Sequence, residues 1–287
     1  MPLLMFIIDG LPDRPMKNKT PLSVAKKPNL DKIAEIGING IMDTISPGVR
    51  PGSDTSHLAL LGYDPYKFYS GRGPIEAYGV GIDLKPGDLA FRANFATVVG
   101  NGSIFDKVVV DRRAGRIENT EELVKALNEI DLSLDFEVAR ATGHRAVVVF
   151  REAFSADLSD TDPKVVGEKV KKCKPLAESA SKVAEVVNEF MQKAHEVLEK
   201  HSINAERELK GLPKANAILL RGSGVMKEIP SFKGKYGLKL TVISATALIK
   251  GVGRMVGGEV FTPKGATGNK KTDIGAKIES ALDFLKR

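Results

Sequence analysis

The stretch Leu3-Leu4-Met5-Phe6-Ile7-Ile8, followed by Asp9-Gly10, decides how the fold begins. An apolar run that ends in a turn dipeptide is typical of a strand buried on both faces of a parallel sheet. Helical patterns follow over residues 20–22 and 29–36, and a further strand pattern covers residues 38–44. The order strand, helix, strand predicts an α/β fold that opens with a parallel sheet.

The two ends of the chain share this alternation, whereas the middle differs. Strand and helical patterns alternate again near the end, over residues 238–244, 245–252, 259–261 and 272–285. In between lie strand patterns over residues 89–98, 108–110, 136–139, 146–150 and 217–220 and helical patterns over residues 120–128 and 182–199, with a turn predicted over residues 221–224. We therefore predict one α/β domain from residues 1–69 and 236–287, with helices on both faces of a mainly parallel sheet. An α+β domain over residues 70–235 is predicted to be inserted into it.

The composition excludes several classes of protein. The 287 residues carry a formal charge of +7, with 42% hydrophobic and 28% charged residues, which excludes a disordered tail or a coiled coil. Cys173 is the single cysteine, so no intrachain disulfide forms and a reducing compartment is expected. We find no membrane span and no signal peptide, and we expect a cytoplasmic protein.

The excess of positive charge can serve nucleic acid, a membrane surface or a small anion. The densest basic run, residues 169–174, is expected to be a solvated helix face, because no aromatic residues interleave with its lysines. The chain has no Trp and only 6% aromatic residues, so surfaces for base stacking are scarce. We expect no nucleic-acid or membrane partner and favour a phosphorylated small molecule.

Two motifs carry groups suited to phosphoryl chemistry. Asp9 follows the first strand pattern, at the sheet edge where α/β proteins bind ligands, and its carboxylate suits a divalent cation. Its alternative role is to cap the Asp-Gly turn. Ser53 lies in a Gly/Pro-rich loop before a helical pattern, where N–H groups stabilise a phosphoryl group and a Ser can be a nucleophile. Its alternative role is a helix cap.

Basic side chains gather next to turns that flank strand patterns. They are Arg112, Arg113, Arg116, His144, Arg145 and Arg221, with Asp160 and Asp162 in a further turn. Arginine captures carboxylate and phosphate groups in a bidentate manner, so the sequence indicates an anion pocket. Surface salt bridges, such as Asp111 with Arg113, are the alternative. Lys250 lies in a helical pattern and contributes only if the fold brings it close to Ser53.

Ordered motifs extend over almost the whole chain. They are Ile7–Leu11, Asp13–Pro15, Thr20–Leu22, Ser46–Gly48, Pro51–Leu58, Gly62–Pro65, Gly71–Pro74, Phe91–Thr97, Asp111–Arg116, Gly143–Ala146, Ser159–Pro163, Leu220–Gly222 and Gly265–Gly268. Together they resemble the archaeal-type cofactor-independent phosphoglycerate mutases of the alkaline phosphatase superfamily. The resemblance implies an alkaline-phosphatase-like fold. It also implies interconversion of 2-phosphoglycerate and 3-phosphoglycerate through a phosphoserine at Ser53.

The resemblance implies further roles. Asp9 and Ser53 match ligands of a two-metal centre, for which manganese is expected and magnesium, cobalt or zinc are the alternatives. Lys250 matches the lysine that neutralises the phosphoryl group and the seryl oxygen. The basic group and the two aspartates described above match the substrate pocket, with Arg221 the weakest match.

The family carries most of its metal ligands near the C-terminus, and no histidine follows Lys250 in this chain. We therefore expect a form whose C-terminal part is a separate polypeptide, an inactive remnant, or a natural protein that continues beyond Arg287. The helical pattern over residues 272–285 is then expected to expose an apolar face and to bind that polypeptide or a second copy. His195 and His201 are expected to be solvated.

Two rival functions stay open at this point. One is a phosphatase or phosphotransferase for another small phosphate ester, which requires that water reach a seryl phosphate. The other is an inactive remnant that binds phosphoglycerate through its arginines without catalysis.

Overall fold

The computed structural model describes residues 2–11, 13–269 and 271–286. The helices are α1 (Pro21–Val24), α2 (Pro28–Ile36), α3 (Ser53–Leu60), α4 (Pro65–Phe68), α5 (Arg72–Val80), α6 (Glu121–Asn128), α7 (Ser181–Lys200), α8 (Ser202–Leu209), α9 (Phe232–Tyr236), α10 (Ala247–Met255) and α11 (Ile274–Leu285). The strands are β1 (Leu89–Val99), β2 (Val108–Asp111), β3 (Phe136–Arg140), β4 (Arg145–Phe150), β5 (Ala217–Val225), β6 (Thr241–Ile243) and β7 (Glu259–Phe261).

An antiparallel sheet of five strands lies at the centre of the described structure. β1 pairs with β2, β4 and β5, and β3 pairs with the free edge of β4. Since β4 and β5 pair with the same part of β1, they flank it on opposite edges. This register places Arg92 of β1 opposite Val147 of β4 and Arg221 of β5.

The long helix α7 covers one face of this sheet. Its pattern of apolar residues buries Val187, Phe190 and Met191, and Phe190 meets Phe150 of β4 edge to face at 5.7 Å. Apolar side chains of β1, such as Phe91, complete the same buried cluster. Alternation along β1 leaves Arg92 and Asn94 on the opposite face, where they are free to take part in a polar site.

A second apolar cluster joins α3, α5 and α10 to the sheet. Helices α5 and α10 approach each other closely because glycines stand at the contact. A Cβ on Gly251 would lie 1.8 Å from the Ile75 carbonyl oxygen, and a Cβ on Gly79 would lie 2.1 Å from the Ala247 carbonyl oxygen. Only glycine permits this approach, which fixes α10 against α5 and thereby positions the side chains that both helices carry.

The predicted mainly parallel sheet is not found among the described residues. Parallel pairing is confined to β6 and β7, and the main sheet is antiparallel. Residues 3–8 form no strand and are exposed, with Leu3 80% and Phe6 64% accessible. The apolar run fits a buried strand, but the described part of the chain offers it no neighbouring strand to complete a hydrogen-bonded ladder. Residues 38–44 also form no strand, and all of them except the half-buried Thr44 are exposed.

Three smaller predictions are also wrong. Residues 221–224 continue strand β5, since Gly224 passes so close to Ser70 that a Cβ would lie 1.9 Å from its carbonyl oxygen. The lysine run over residues 169–174 is extended, not helical, because it bridges β2 at Val108. His195 is buried on α7, and its Nδ1 lies 2.7 Å from the Asn216 carbonyl oxygen.

Most other elements follow the sequence patterns. The predicted strands near residues 89–98, 108–110, 136–139 and 146–150 and the helices near residues 120–128 and 182–199 are confirmed. Thr20 caps α1 through its side-chain oxygen, as its position before Pro21 predicts. Within the described residues no helix combines the length and apolar character needed to cross a membrane.

Candidate functional site

A buried ion pair forms the first part of the site. Arg112 follows β2 and donates two hydrogen bonds to Asp162, from Nε to Oδ1 at 3.0 Å and from Nη2 to Oδ2 at 2.6 Å. The Asp162 side chain is fully buried, which by itself opposes ionisation. The bonds from Arg112 and from the Lys164 N–H nevertheless hold the pKa of Asp162 below its usual value. Arg112 is therefore fixed in place by a charged carboxylate.

Arg221 and Arg92 lie next to this pair. Nη1 of Arg221 is 3.8 Å from Oδ2 of Asp162, and Arg221 faces Arg92 across the sheet. Nε of Arg92 is 2.7 Å from Oε1 of the buried Glu76, but at an angle that makes no hydrogen bond. We call Arg92, Arg112 and Arg221 the arginine cluster. Its three positive charges face two carboxylates.

Two donor atoms of the arginine cluster make no hydrogen bond to the described residues. Nε of Arg92 and Nε of Arg221 are buried and have no hydrogen-bond partner within the parts of the chain described. Burial lowers the pKa of Arg221, and the charges of Arg92 and Arg112 lower it further. Buried donors normally find an acceptor, so an anion with several oxygens fits this place.

His144 extends the positive surface without adding a charge. Burial lowers its pKa to about 4, and the charges of Arg145, Arg113 and Arg221 act in the same direction. The imidazole is therefore neutral near pH 7 and can both donate and accept a hydrogen bond. Among the predicted site residues, His144 joins Arg112, Arg221 and Asp162 in one region, and Arg113 lies within electrostatic reach of it.

The remaining residues of the predicted anion pocket lie at the margin of the arginine cluster or outside it. Arg113, Arg116 and Arg145 are exposed. Asp160 is half-buried and accepts a hydrogen bond from the Gly222 N–H at 2.8 Å, beside Arg221, while its Oδ2 pairs with Lys164 at 2.9 Å. Among the described residues no hydrogen bond or ion pair links Arg116 to the arginine cluster, so its substrate role stays a prediction.

Ser53 begins α3 and its side chain is exposed. The loop that precedes it is closed by Thr55, whose Oγ1 accepts a hydrogen bond from the Gly52 N–H at 3.1 Å. The N-terminus of α3 therefore presents N–H groups and a hydroxyl together, a combination suited to a phosphoryl group. The next residue, Asp54, is buried and accepts a hydrogen bond from Tyr69 Oη at 2.8 Å. Tyr69 in turn lies within electrostatic reach of Arg72 and Arg92.

Lys250 lies on α10, which packs against both α3 and α5. The side chain is half-buried, and burial together with the charge of Arg254 lowers its pKa. Arg254 itself is held by the carbonyl oxygens of Tyr78 and Gly79, at 2.7 and 3.2 Å. The fold thus brings the helix of Lys250 against the helix that begins at Ser53.

The described residues do not fit a two-metal centre. Asp9 is exposed in a turn, and nowhere in residues 2–11, 13–269 and 271–286 do three His, Cys, Asp or Glu side chains converge. Asp9 and Ser53 together offer two oxygen-bearing side chains, whereas divalent cations in proteins take four or more ligands. We therefore derive no catalytic step through a metal.

Four residues of the site escape the sequence analysis: Arg72, Glu76, Arg92 and Asn94. Arg92 and Asn94 occupy alternate positions of an otherwise apolar strand pattern, Phe91–Thr97, and polar residues at such positions were the available signal. Asn94 Oδ1 lies 3.5 Å from Nη2 of Arg221. Glu76 lies one helical turn after Arg72, and its contact with Arg92 depends on packing of α5 against the sheet, which no local pattern predicts.

Comparison with known proteins identifies close relatives. The family model for 2,3-bisphosphoglycerate-independent phosphoglycerate mutase matches residues 34–204. A mutase of that name from Archaeoglobus fulgidus is 70% identical over 99% of this chain and 71% of its own length. One from Methanopyrus kandleri is 50% identical over 99% of this chain and 69% of its own length. The chain thus spans about 70% of the length of these relatives.

Two solved structures resemble the fold. The cofactor-independent phosphoglycerate mutase from Thermoplasma acidophilum superposes with a TM-score of 0.69 at 40% identity, covering 96% of this chain and 72% of that one. A protein from Pyrococcus horikoshii superposes with a TM-score of 0.78 at 39% identity, covering 97% of this chain and 66% of that one.

Proposed function

The chain belongs to the 2,3-bisphosphoglycerate-independent phosphoglycerate mutases, and we propose that its arginine cluster binds the phosphoglycerate that this isomerase family interconverts between its 2- and 3-phospho forms. The observation that carries the proposal is the buried Nε of Arg221, which has no hydrogen-bond partner within the described structure and lies beside the positive charges of Arg92 and Arg112. Phosphate and carboxylate oxygens are the acceptors that guanidinium groups bind best. Phosphoglycerate carries both groups.

In this proposal the site divides into a binding region and a transfer region. The arginine cluster and the neutral His144 hold the substrate anion, with Asp160 and Asp162 fixing the geometry of their neighbours. Ser53, at the start of α3, accepts the phosphoryl group through its hydroxyl and later returns it to the other hydroxyl of glycerate. The N–H groups at the start of α3 stabilise the charge on the phosphoryl oxygens.

Lys250 supplies the positive charge of the transfer region. A half-buried lysine with a lowered pKa and no ion pair among the described residues is suited to neutralise an incoming phosphoryl group. The use of a divalent metal ion, for which manganese is the expected one, stays a prediction, and so does its binding by Asp9 and Ser53. A bound metal ion supplies Lewis-acid stabilisation of phosphoryl oxygens.

Two further predictions are kept as proposals. The first is the division into a domain of residues 1–69 and 236–287 and a domain of residues 70–235, together with the alkaline-phosphatase-like arrangement of the former. An apolar cluster drawn entirely from residues 89–220 supports the inserted domain, whereas a second cluster joins α5, within residues 70–235, to α10 across the proposed boundary. The second is a cytoplasmic location.

A partner polypeptide is also proposed. Leu3, Ile38, Ile41 and the α11 residues Ile274 and Leu282 leave large apolar side chains exposed. Large exposed apolar side chains of this kind are typical of interaction sites in soluble proteins when they gather in one patch. A second copy of the chain or a separate C-terminal polypeptide is the proposed occupant. Light scattering of the purified chain distinguishes them, since self-association raises the mass with concentration whereas the second alternative leaves a monomer.

Phosphoryl transfer to Ser53 is tested directly. The chain is incubated with 3-phosphoglycerate, and its peptides are analysed by mass spectrometry for phosphoserine. We expect phosphate on Ser53, loss of that signal in Ser53→Ala, and an unchanged signal in Ser56→Ala, a control on the same helix. Product analysis then separates a mutase, which yields 2-phosphoglycerate, from a phosphatase, which yields glycerate and inorganic phosphate. Phosphate on another residue would overturn the role of Ser53.

A further inference from the structure

The loop after Arg112 has an unusual backbone conformation. Ala114, Gly115 and Arg116 all have positive φ, at 45°, 61° and 57°. Glycine adopts such angles freely, but Ala and Arg do so only at a cost. Non-glycine residues with positive φ persist where surrounding contacts impose them, and they cluster at functional sites. The loop connects the arginine cluster to the exposed residues Arg113 and Arg116.

Asp111 fixes the loop from the inside. Its Oδ1 accepts a hydrogen bond from the Arg113 N–H at 2.8 Å, and its Oδ2 accepts one from the Gly115 N–H at 2.7 Å. These bonds satisfy the backbone N–H groups of Arg113 and Gly115. They make no contact with Ala114, whose side chain is fully buried.

Arg207 of α8 fixes the loop from the outside. Its Nη2 donates to the Ala114 carbonyl oxygen at 2.8 Å, and its Nε donates to the Pro213 carbonyl oxygen at 2.8 Å. The side chain is half-buried and makes no ion pair with a carboxylate among the described residues. Because its Nε and its Nη2 each donate to a backbone carbonyl, Arg207 acts as a clamp that holds two chain segments together. Here those segments are the strained loop and the turn before β5.

The position of Arg113 links this clamp to the site. Arg113 precedes Ala114 directly and lies within electrostatic reach of His144, beside Arg221. A loop that relaxes from its left-handed conformation changes the direction of the backbone at Ala114. Arg113 then loses its fixed placement next to the arginine cluster, whereas Arg112 stays bound to Asp162.

We infer that Arg207 is a positioning residue for phosphoglycerate binding: its two bonds to backbone carbonyls impose the left-handed conformation of Ala114–Arg116 and so preorganise Arg113. This inference rests on the proposed function of the arginine cluster. It assigns the role to a residue that itself lies outside that cluster. Preorganisation of this kind raises affinity by removing the cost of ordering the loop when the anion binds.

Three variants of the full chain test the inference, with 3-phosphoglycerate as the ligand in calorimetric titrations. Arg207→Met removes both donors, and we expect about tenfold weaker binding, the size expected from one strained residue that relaxes. Arg207→Lys keeps one donor and should lie in between. Lys210→Met, an exposed residue beside α8 that pairs only with Glu206 at 3.9 Å, is the matched control and should bind like the parent chain.

A double variant separates positioning from stability. Ala114→Gly makes the positive φ accessible without a clamp, so Arg207→Met with Ala114→Gly should recover affinity relative to Arg207→Met alone. The same change removes a buried methyl group, which opposes the relief of strain, so the melting temperature should not recover in step with the affinity. If affinity and melting temperature fall together in every variant, Arg207 has a structural role only and the inference is wrong.

Amide NMR spectra provide a readout of the loop itself. We expect resonances of residues 113–117 to move in Arg207→Met and to remain in Lys210→Met. Unchanged loop resonances or unchanged affinity in Arg207→Met would overturn the inference while leaving the proposed function intact. Absence of 3-phosphoglycerate binding by the parent chain would overturn the proposed function, and the inference with it.

Discussion

Arg92 of β1 and Arg221 of β5 occupy directly opposed positions of an antiparallel pair, so two like charges face each other at a half-buried site. Like charges in such positions destabilise a sheet. Glu76 offsets the charge of Arg92 and Asp162 offsets part of that of Arg221, while the buried Nε of Arg221 has no hydrogen-bond partner among the described residues. The anion that we propose for this site would compensate the remaining positive charge.

The first prediction concerns Arg221. Arg221→Met removes one of the opposed charges and an unpaired donor, so the free energy of unfolding without ligand should change by less than about 1 kcal/mol. Affinity for 3-phosphoglycerate should fall by about tenfold to a hundredfold, the loss expected for a charged hydrogen bond. Arg140→Met, an exposed residue of β3 that donates to the Glu118 carbonyl oxygen, serves as the control. Equal affinity in both variants would refute the assignment.

The second prediction concerns Asp162, whose buried carboxylate pairs with Arg112. Asp162→Asn leaves Arg112 with a weaker acceptor, and breaking a buried pair costs about 3 kcal/mol of unfolding free energy at pH 7. Asp106→Asn, which changes an exposed carboxylate, should cost far less. Urea denaturation measures both.

The pH dependence of that stability has a definite sign. The folded pKa of Asp162 lies below its ordinary value of 3.8, so its contribution is fully present above that value. It is lost as the pH falls through the folded pKa. Asp162→Asn should therefore lose less stability than the parent chain during acidification below about pH 4. If the unfolding free energies of the two proteins fall in parallel as the pH is lowered, another carboxyl group determines the loss of stability in acid.

Local patterns were sufficient for the antiparallel strands but not for their site. Alternation of apolar residues predicted a strand in the region of β1. In the structure the same alternation leaves Arg92 and Asn94 on the face away from α7. The sequence did not reveal that Arg221 lies opposite Arg92, because this pairing joins residues more than a hundred positions apart. Residue type alone still indicated an anion pocket, since arginines beside strand ends have few other roles.

Residues 3–8 show where local reasoning fails. Their apolar run carries the signal of a buried strand, yet burial depends on a neighbour that the described part of the chain does not provide. The prediction that β5 ends before Gly222 and Gly224 was wrong for the opposite reason. These glycines were interpreted as a turn, whereas Gly224 is required by close approach to the Ser70 backbone.

The third prediction concerns His144, whose pKa is lowered to about 4 by burial and by Arg145, Arg113 and Arg221. Between pH 4 and its unfolded value near 6.5 the unfolded chain binds a proton that the folded chain does not, so stability falls as the pH is lowered through this range. His144→Gln should reduce that loss. Denaturation at several pH values measures it.

The same histidine reports on the ligand. A bound phosphate dianion offsets the nearby arginine charges, so the pKa of His144 should rise when 3-phosphoglycerate binds. NMR titration of the His144 ring protons, with and without the ligand, provides the measurement. A pKa that stays at about 4 with saturating ligand would place the anion away from His144.

The fourth prediction concerns the crossing of α5 and α10, which carries Lys250 and Glu76 into the site. Gly251→Ala would place a Cβ 1.8 Å from the Ile75 carbonyl oxygen, so the helices must separate. We expect about 1–3 kcal/mol of destabilisation and a loss of phosphoryl transfer to Ser53, since α10 also packs on α3. Gly275→Ala on α11 is the matched control, because its nearest neighbour, an oxygen of Asp273, lies 3.3 Å away. Gly275 lies in the first turn of α11, so alanine there should change the unfolding free energy by less than about 1 kcal/mol, and a larger loss than in Gly251→Ala would show that the crossing is not held by close contact.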